Sequence, residues 1–382
     1  MFMIQCIKNV KVFRDGQWKP SDILISGSQI EQVADQIDCR YEKLIIIDGE
    51  GMTAIPGYID QHVHITGGGG EDGFLSQVPP LQYSEPVMAG VTTLVGLLGT
   101  DGTTRNIENL VARTMAFREY GLTAYCLTGN YSFPSPTLTG DVKRDIVFVD
   151  PIIGVKIAIS DHRSSNMPKE ALIKLASDAR VAGMISGKPG IVHIHTGSGE
   201  AQLDMLFEII QETDIPISTF RPTHLAGKYD AAIRFAKLGG YIDFTCDPSD
   251  MANRSALLVR ALREAPDGTV TISTDSNGSL PIWNEKKEVI GMGAGNIRAL
   301  HDTICAMVTL QGLPLEEAIR PVTENVAKAL HLYPRKGCIR EGADADLILL
   351  DSNLKIHTVF ANGRCMLREG KMQVKPYFEN LH

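Results

Sequence analysis

Four histidines, one aspartate and one lysine in this chain are of types, and at spacings, that could assemble a metal centre. His62 and His64 stand in Asp60-Gln61-His62-Val63-His64. Residues i and i+2 of a strand share a face, so both imidazoles can reach one ion. His193 and His195 repeat the spacing in Ile191-Val192-His193-Ile194-His195. His224 closes Pro222-Thr223-His224, and Asp275 follows Thr274. Imidazole and carboxylate form a nitrogen and oxygen donor set that suits zinc, and also cobalt, manganese or iron. Singly, each residue is weak evidence. An HxH arises by chance, a strand-end histidine is commonly a hydrogen-bonded structural residue, and a strand-end aspartate often caps a helix. Their joint placement at the ends of different strands is what points to metal chemistry.

Lys156 lies inside the apolar run Ile152-Ile153-Gly154-Val155-Lys156-Ile157-Ala158-Ile159. A buried ammonium is costly there. As a neutral amine it could add carbon dioxide and become a carbamate, a bidentate anion. Two cations about 3.5–4 Å apart need such a bridge. The plainer reading is a snorkelling or ion-paired lysine.

The elements that must carry these groups alternate. Apolar, β-rich runs begin at Thr53, Gly90, Leu122, Ile152, Pro189, Ile215, Gly239 and Gly268, with helical patterns between most of them. Eight strand–helix units predict a parallel sheet closed into a (β/α)8 TIM barrel, whose chemistry sits at the C-terminal strand ends. A doubly wound sheet would want a glycine fingerprint after its first strand, and none is present. Both chain ends read instead as strands and turns, with Asp15-Gly16 and Asn362-Gly363 as turn dipeptides. The expected organisation is α/β. Residues 1–52 and 334–382 together form a small β-sandwich domain, and residues 53–333 form the barrel.

Composition narrows the function. The 382 residues are 43% hydrophobic and 21% charged, which excludes a disordered or low-complexity chain. A formal net charge of −8 argues against nucleic-acid binding. The seven cysteines are scattered, with no CxxC, and read as reduced thiols of a cytoplasmic protein. The start MFMIQCIKNVKVF lacks a signal-peptide pattern, and no apolar stretch reaches membrane-spanning length.

Pro56-Gly57-Tyr58-Ile59-Asp60-Gln61-His62-Val63-His64 resembles the signature of the amidohydrolase superfamily. Gly67-Gly68-Gly69-Gly70-Glu71, Gly99-Thr100-Asp101, Gly129-Asn130-Tyr131, Ser160-Asp161-His162-Arg163-Ser164 and Asp275-Ser276-Asn277-Gly278-Ser279 are similar, more narrowly, to the isoaspartyl dipeptidases within it. The resemblance extends into the tail, at Gly342-Ala343-Asp344-Ala345-Asp346-Leu347. It implies a homo-oligomeric metallopeptidase that hydrolyses β-aspartyl dipeptides with a hydroxide held between two zinc ions. His62 and His64 would bind one zinc, His195 and His224 the other, and carbamylated Lys156 would bridge them. Asp275 would contact the first zinc and move the proton. His195 rather than His193 is the implied ligand because Thr196-Gly197 follows it. Strand parity alone does not separate the two, and His193 reads as a core or supporting residue. Tyr131 would donate to the developing oxyanion, and Glu71 would pair with the substrate ammonium. Gly69, Thr100, Arg163 and Ser279 would meet its carboxylates. A plainer role for Arg163 is a salt bridge to Asp161 or Glu170.

One departure stands in His224-Leu225-Ala226-Gly227-Lys228. The family places an arginine where Gly227 is, so Lys228 is the candidate to hold the leaving residue. Two other readings keep the fold. One is a cyclic-amide hydrolase or N-deacetylase, against which Glu71 argues, because such substrates carry no ammonium. The other is a metal-free scaffold, against which the complete ligand set argues.

Overall fold

Residues 4–283 and 289–379 are described by the computed structural model. Residues 1–3, 284–288 and 380–382, which include both extremities of the predicted end domain, lie outside the described residues.

Eight parallel strands carry the middle of the chain: Tyr58–Val63, Val91–Gly96, Thr123–Gly129, Ile152–Ile159, Ile191–Thr196, Phe220–Thr223, Ile242–Thr245 and Val270–Ser273. Ile152–Ile159 and Ile191–Thr196 are buried at every position. Both faces of these strands are covered, so the two-residue alternation of a half-exposed strand disappears. Two of the helices between them, Ile107–Tyr120 and Val142–Phe148, have side-chain N-caps. Ile107–Tyr120 starts at Asn106, whose side chain accepts from the Asn109 N–H, and stops at Gly121.

The sheet differs from the single closed ring that was expected. The first six strands form one hydrogen-bonded sheet in sequence order, and the last two form a separate pair. Side chains make the connections that backbone ladders do not. Thr223 Oγ1 donates to Asp243 at 2.7 Å, and Gln61 Nε2 donates to Asp243 and to Thr271 Oγ1, both at 2.7 Å. A parallel bridge from Val63 to Ser276, with His64 N–H on the Ser276 carbonyl at 2.8 Å, fastens the first strand to the segment leaving the eighth. The sheet is thereby curled, and its first and last strands meet at one end.

The predicted strand Thr53–Asp60 is broken at Gly57. Thr53–Pro56 pairs with the terminal strands Ile4–Arg14 and Leu347–Leu350, whereas Tyr58–Val63 opens the parallel sheet. Strands from both chain ends pair in one hydrogen-bonded nine-stranded sheet. Ile7, Val12, Ile23, Ile25, Leu347, Leu349 and Phe360 pack its core.

Candidate active site

The candidate ligands emerge from the C-terminal ends of the first, fourth, fifth, sixth and eighth parallel strands. His62, His224 and Asp275 each offer one donor atom within 4.8 Å of the others. The Nε2 atoms of His62 and His64 lie 3.2 and 3.0 Å from Asp275 Oδ1. Neither approach has hydrogen-bond geometry, so that buried carboxylate oxygen lacks a partner, as does His64 Nδ1. An orphaned carboxylate oxygen among imidazoles fits a cation. Burial pushes the His62 imidazole down to about 3, reinforced by Lys156, and the His195 imidazole down to about 4. Neutral imidazole is the form that ligates. Lys156 is fully buried, its Nζ 3.5 Å from His62 Nε2, and burial brings its ammonium down to about 7. Two of these ends are strained: His224 and Asp275 have φ of 64° and 53°, a left-handed conformation that non-glycine residues seldom adopt. Gly278 packs against Asp275, where a Cβ would meet Oδ1 at 2.6 Å.

His195 stands apart from the three-residue cluster but against it, its ring 4.6 Å from that of His224. Its Nε2 lies 2.8 Å from Asp161 Oδ2, and its Nδ1 lies 2.6 Å from the Tyr131 hydroxyl. A carboxylate requires the proton on Nε2, which leaves Nδ1 as the lone-pair atom turned toward Tyr131. His224 Nδ1 meets Thr245 Oγ1 at 2.7 Å, so Nε2 is its other available donor. His193 is fully buried, its Nε2 3.0 Å from His62 Nδ1.

Glu71 sits at the rim. Its Oε1 accepts from Ser279 Oγ at 2.9 Å, Arg163 Nη1 at 3.1 Å and Thr100 Oγ1 at 3.2 Å. Gly69, Glu71 and Thr100 line one recess of about 260 Å³. Arg163 makes the salt bridge to Asp161 as a two-pronged fork, Nε to Oδ1 and Nη2 to Oδ2, both at 2.9 Å. Burial opposes ionisation of Asp161, but the bonds from His195 and Arg163 outweigh it and hold its carboxyl well below the usual range. The glycines before Glu71 have a packing reason as well as an access one. Gly69 has φ of 80°, and a Cβ there would meet the Ser76 carbonyl at 2.3 Å.

Lys228 Nζ donates to the Thr196 carbonyl at 3.1 Å, one residue beyond His195. A Cβ on Gly227 would meet open space. Sequence reasoning gave Asp161 only the part of a salt-bridge partner, although its strand-end position is the signal that singled out Asp275. Asp243 carries no such signal. It reads as a mid-strand polar residue, yet it accepts from Gln61, Thr223, Thr271 and Ser273 behind the ligands.

Residues 53–366 match the model of the amidohydrolase family. The chain is similar throughout to a crystallised β-aspartyl dipeptidase of Fervidobacterium islandicum AW-1 in complex with β-Asp-Leu. Identity is 40% over 99% of this chain and 100% of that one, with a TM-score of 0.92. A dihydropyrimidinase of Brevibacillus agri NCHU1002 shares the fold at 17% identity over 97% of this chain and 96% of its own, TM-score 0.68. A dihydroorotase of Staphylococcus epidermidis is 37% identical over 68 residues, 18% of this chain and 16% of the dihydroorotase. The chain thus matches only a small part of that relative's length.

Proposed function

This chain belongs to the amidohydrolase family, and from that premise we propose that it is a binuclear zinc dipeptidase acting on β-aspartyl dipeptides. The observation that carries the reading is the placement of a carboxylate, Glu71, beside Arg163, Ser279 and Thr100 at the rim of a buried His–Asp cluster. A site for an uncharged cyclic amide has no use for that anion. The full-length likeness to a β-aspartyl dipeptidase that holds β-Asp-Leu supports the same substrate class.

His62 and His64 with Asp275 would hold one zinc, and His195 and His224 the other. Carbamylated Lys156 would join them. When bound, zinc makes water a nucleophile at neutral pH and polarises the amide carbonyl. The neutral Lys156 amine bonds through nitrogen to the carbon of carbon dioxide and loses a proton, which gives the carbamate one negative charge. Glu71 binds the substrate ammonium, while Gly69, Thr100, Ser279 and Arg163 orient its carboxylates. With His195 Nδ1 on a metal, the Tyr131 hydroxyl that meets that nitrogen at 2.6 Å would be freed to donate a hydrogen bond to the developing oxyanion. Asp275 takes the proton released on attack and passes it to the leaving amine. Asp161 keeps the Nε2 proton of His195 in place, so Nδ1 stays a ligand. Lys228 reaches toward the leaving residue from the sixth strand's end.

The short dihydroorotase match favours, as a second reading, a cyclic-amide hydrolase. Cytoplasmic action and a homo-oligomeric state belong to the proposal. Among the described residues no helix is long and apolar enough to cross a membrane. Metal analysis together with assays on β-Asp-Leu, α-Asp-Leu and dihydroorotate tests the metal centre and the substrate class. About two zinc ions per chain and turnover of β-Asp-Leu alone are expected. Turnover of dihydroorotate without β-Asp-Leu would replace the reading with the second.

A further inference from the structure

The two ligand pairs of the proposed centre sit at opposite edges of an open sheet. His62 and His64 are carried by the first strand, one edge of the six-stranded sheet. His224 follows the sixth strand, the other edge, and His195 lies on the fifth, laddered beside it. The seventh and eighth strands fill the space between these edges. Among the described residues they pair with one another and are laddered to neither edge strand. The seventh carries no candidate ligand, yet its Asp243 reaches both edges. Oδ1 accepts from Gln61 Nε2, beside His62, and Oδ2 accepts from Thr223 Oγ1, beside His224, both at 2.7 Å. From the eighth strand, Thr271 Oγ1 donates to Oδ1 at 2.8 Å and Ser273 Oγ to Oδ2 at 2.6 Å. All five side chains are buried.

The two sides of the gap are fastened differently. Between the first and eighth strands, Thr274 Oγ1 donates to Asp60, and the bridge from Val63 to Ser276 adds backbone bonding. His62, His64 and Asp275 therefore keep their mutual placement without Asp243. On the sixth strand's side the bonds are Thr223 to Asp243 and His224 Nδ1 to Thr245 Oγ1. His224 also has a φ of 64°, a strained conformation that persists only when its surroundings hold it. We propose that Asp243 is a positioning residue for metal binding, a hydrogen-bond hub that sets the spacing between the two ligand pairs and on which the His195–His224 pair chiefly depends. The inference rests on the binuclear reading above.

The hub acts through its bonds rather than its charge. An asparagine of the same shape preserves them. Its amide oxygen accepts from Gln61 and Thr271, and its two N–H groups donate to the hydroxyl oxygens of Thr223 and Ser273 once those hydroxyls turn. Thr223 and Ser273 themselves form a matched comparison, since each donates one bond to the same carboxylate oxygen. The Ser273 bond lies within a pair of strands that a ladder already joins, Asp243 standing opposite Thr271 and Thr245 opposite Ser273. The Thr223 bond crosses the gap. Losing the first costs the fold a hydrogen bond, whereas losing the second also frees the strand end that carries His224.

The experiment titrates the full-length, zinc-loaded protein with a chelator, counts zinc released per chain, and follows thermal unfolding of the metal-free form. Thr223→Val is expected to give up one of its two zinc ions at about tenfold lower chelator concentration, with release of the other unchanged. Thr223→Ser, which restores the hydroxyl, Ser273→Ala and Asp243→Asn are expected to release both as the parent does. The metal-free forms of Thr223→Val and Ser273→Ala should lose similar amounts of thermal stability, so that stability alone does not explain the zinc. Parent-like retention in Thr223→Val, or equal zinc loss in Thr223→Val and Ser273→Ala, overturns the positioning role. Loss in Asp243→Asn matching that in Thr223→Val overturns the claim that bonds rather than charge act. A parent protein that holds fewer than two zinc ions overturns the binuclear reading itself.

Discussion

Nε2 of His193 lies 3.0 Å from Nδ1 of His62, and both rings are fully enclosed. Of the two same-face histidines on the fifth strand, His193 therefore supports a candidate ligand on the first strand. The hydrogen bond fixes the His62 ring so that Nε2 points at Asp275. Partners of this kind are worth about 10–100-fold in metal affinity. His193→Phe is expected to lose zinc to a chelator at a correspondingly lower concentration. His193→Gln, whose amide oxygen still accepts, should retain more. Equal retention by both variants and the parent would remove His193 from the metal's support.

Lys156 is the residue whose loss should change the metal count itself. Lys156→Ala removes the bridging anion of the proposal, so metal content and activity are expected to fall together. Acetate or another small carboxylate should restore part of both by filling the gap. Full zinc occupancy and an unaltered rate in Lys156→Ala would refute the carbamate.

In the proposed function, Glu71 reads the position of the ammonium relative to the scissile carbonyl. In a β-linked dipeptide that amine is one carbon further away than in an α-linked one, and a carboxylate held by three donors cannot follow it. Glu71→Gln is expected to lower kcat/KM for β-Asp-Leu by about two orders of magnitude, the size of a lost charged partner. The parent protein should leave α-Asp-Leu essentially untouched. Similar turnover of both dipeptides would count against Glu71 as the discriminating group.

Lys228 is tied to the Thr196 carbonyl, and burial lowers its affinity for a proton, with Asp161 acting in the opposite direction. If it also meets the leaving residue, Lys228→Ala should raise KM for β-Asp-Leu and do little to the C-terminal amide, from which that contact is already missing. A lysine offers a point charge where an arginine would offer a fork, so Lys228→Arg is not expected to be neutral. An unchanged KM for the free acid in Lys228→Ala would confine this lysine to anchoring the strand end.

What the sequence alone determined follows from local geometry. Two-residue spacing places His62 and His64 on one face whatever the rest of the chain does. The same holds for His193 and His195, and strand-end positions aim His224 and Asp275 at a common rim. The alternation of apolar runs and helices likewise announced the parallel strands. Closure was expected as a ring of backbone ladders, and how the strands are in fact fastened was not legible. Gln61 and Asp243 are 182 positions apart, and it is their hydrogen bond, not a backbone ladder, that spans the gap between first and seventh strands. That His193 meets the candidate ligand His62, across 131 positions, was not legible either. For Arg163 the sequence offered a substrate carboxylate or a salt bridge to Asp161 or Glu170; the folded chain shows the bond to Asp161 and adds, across 92 positions, the contact with Glu71. Periodicity reports which way a side chain points from its own backbone. Only folding reports what stands opposite, because partners so far apart in the chain are set by how strands stack around a shared core.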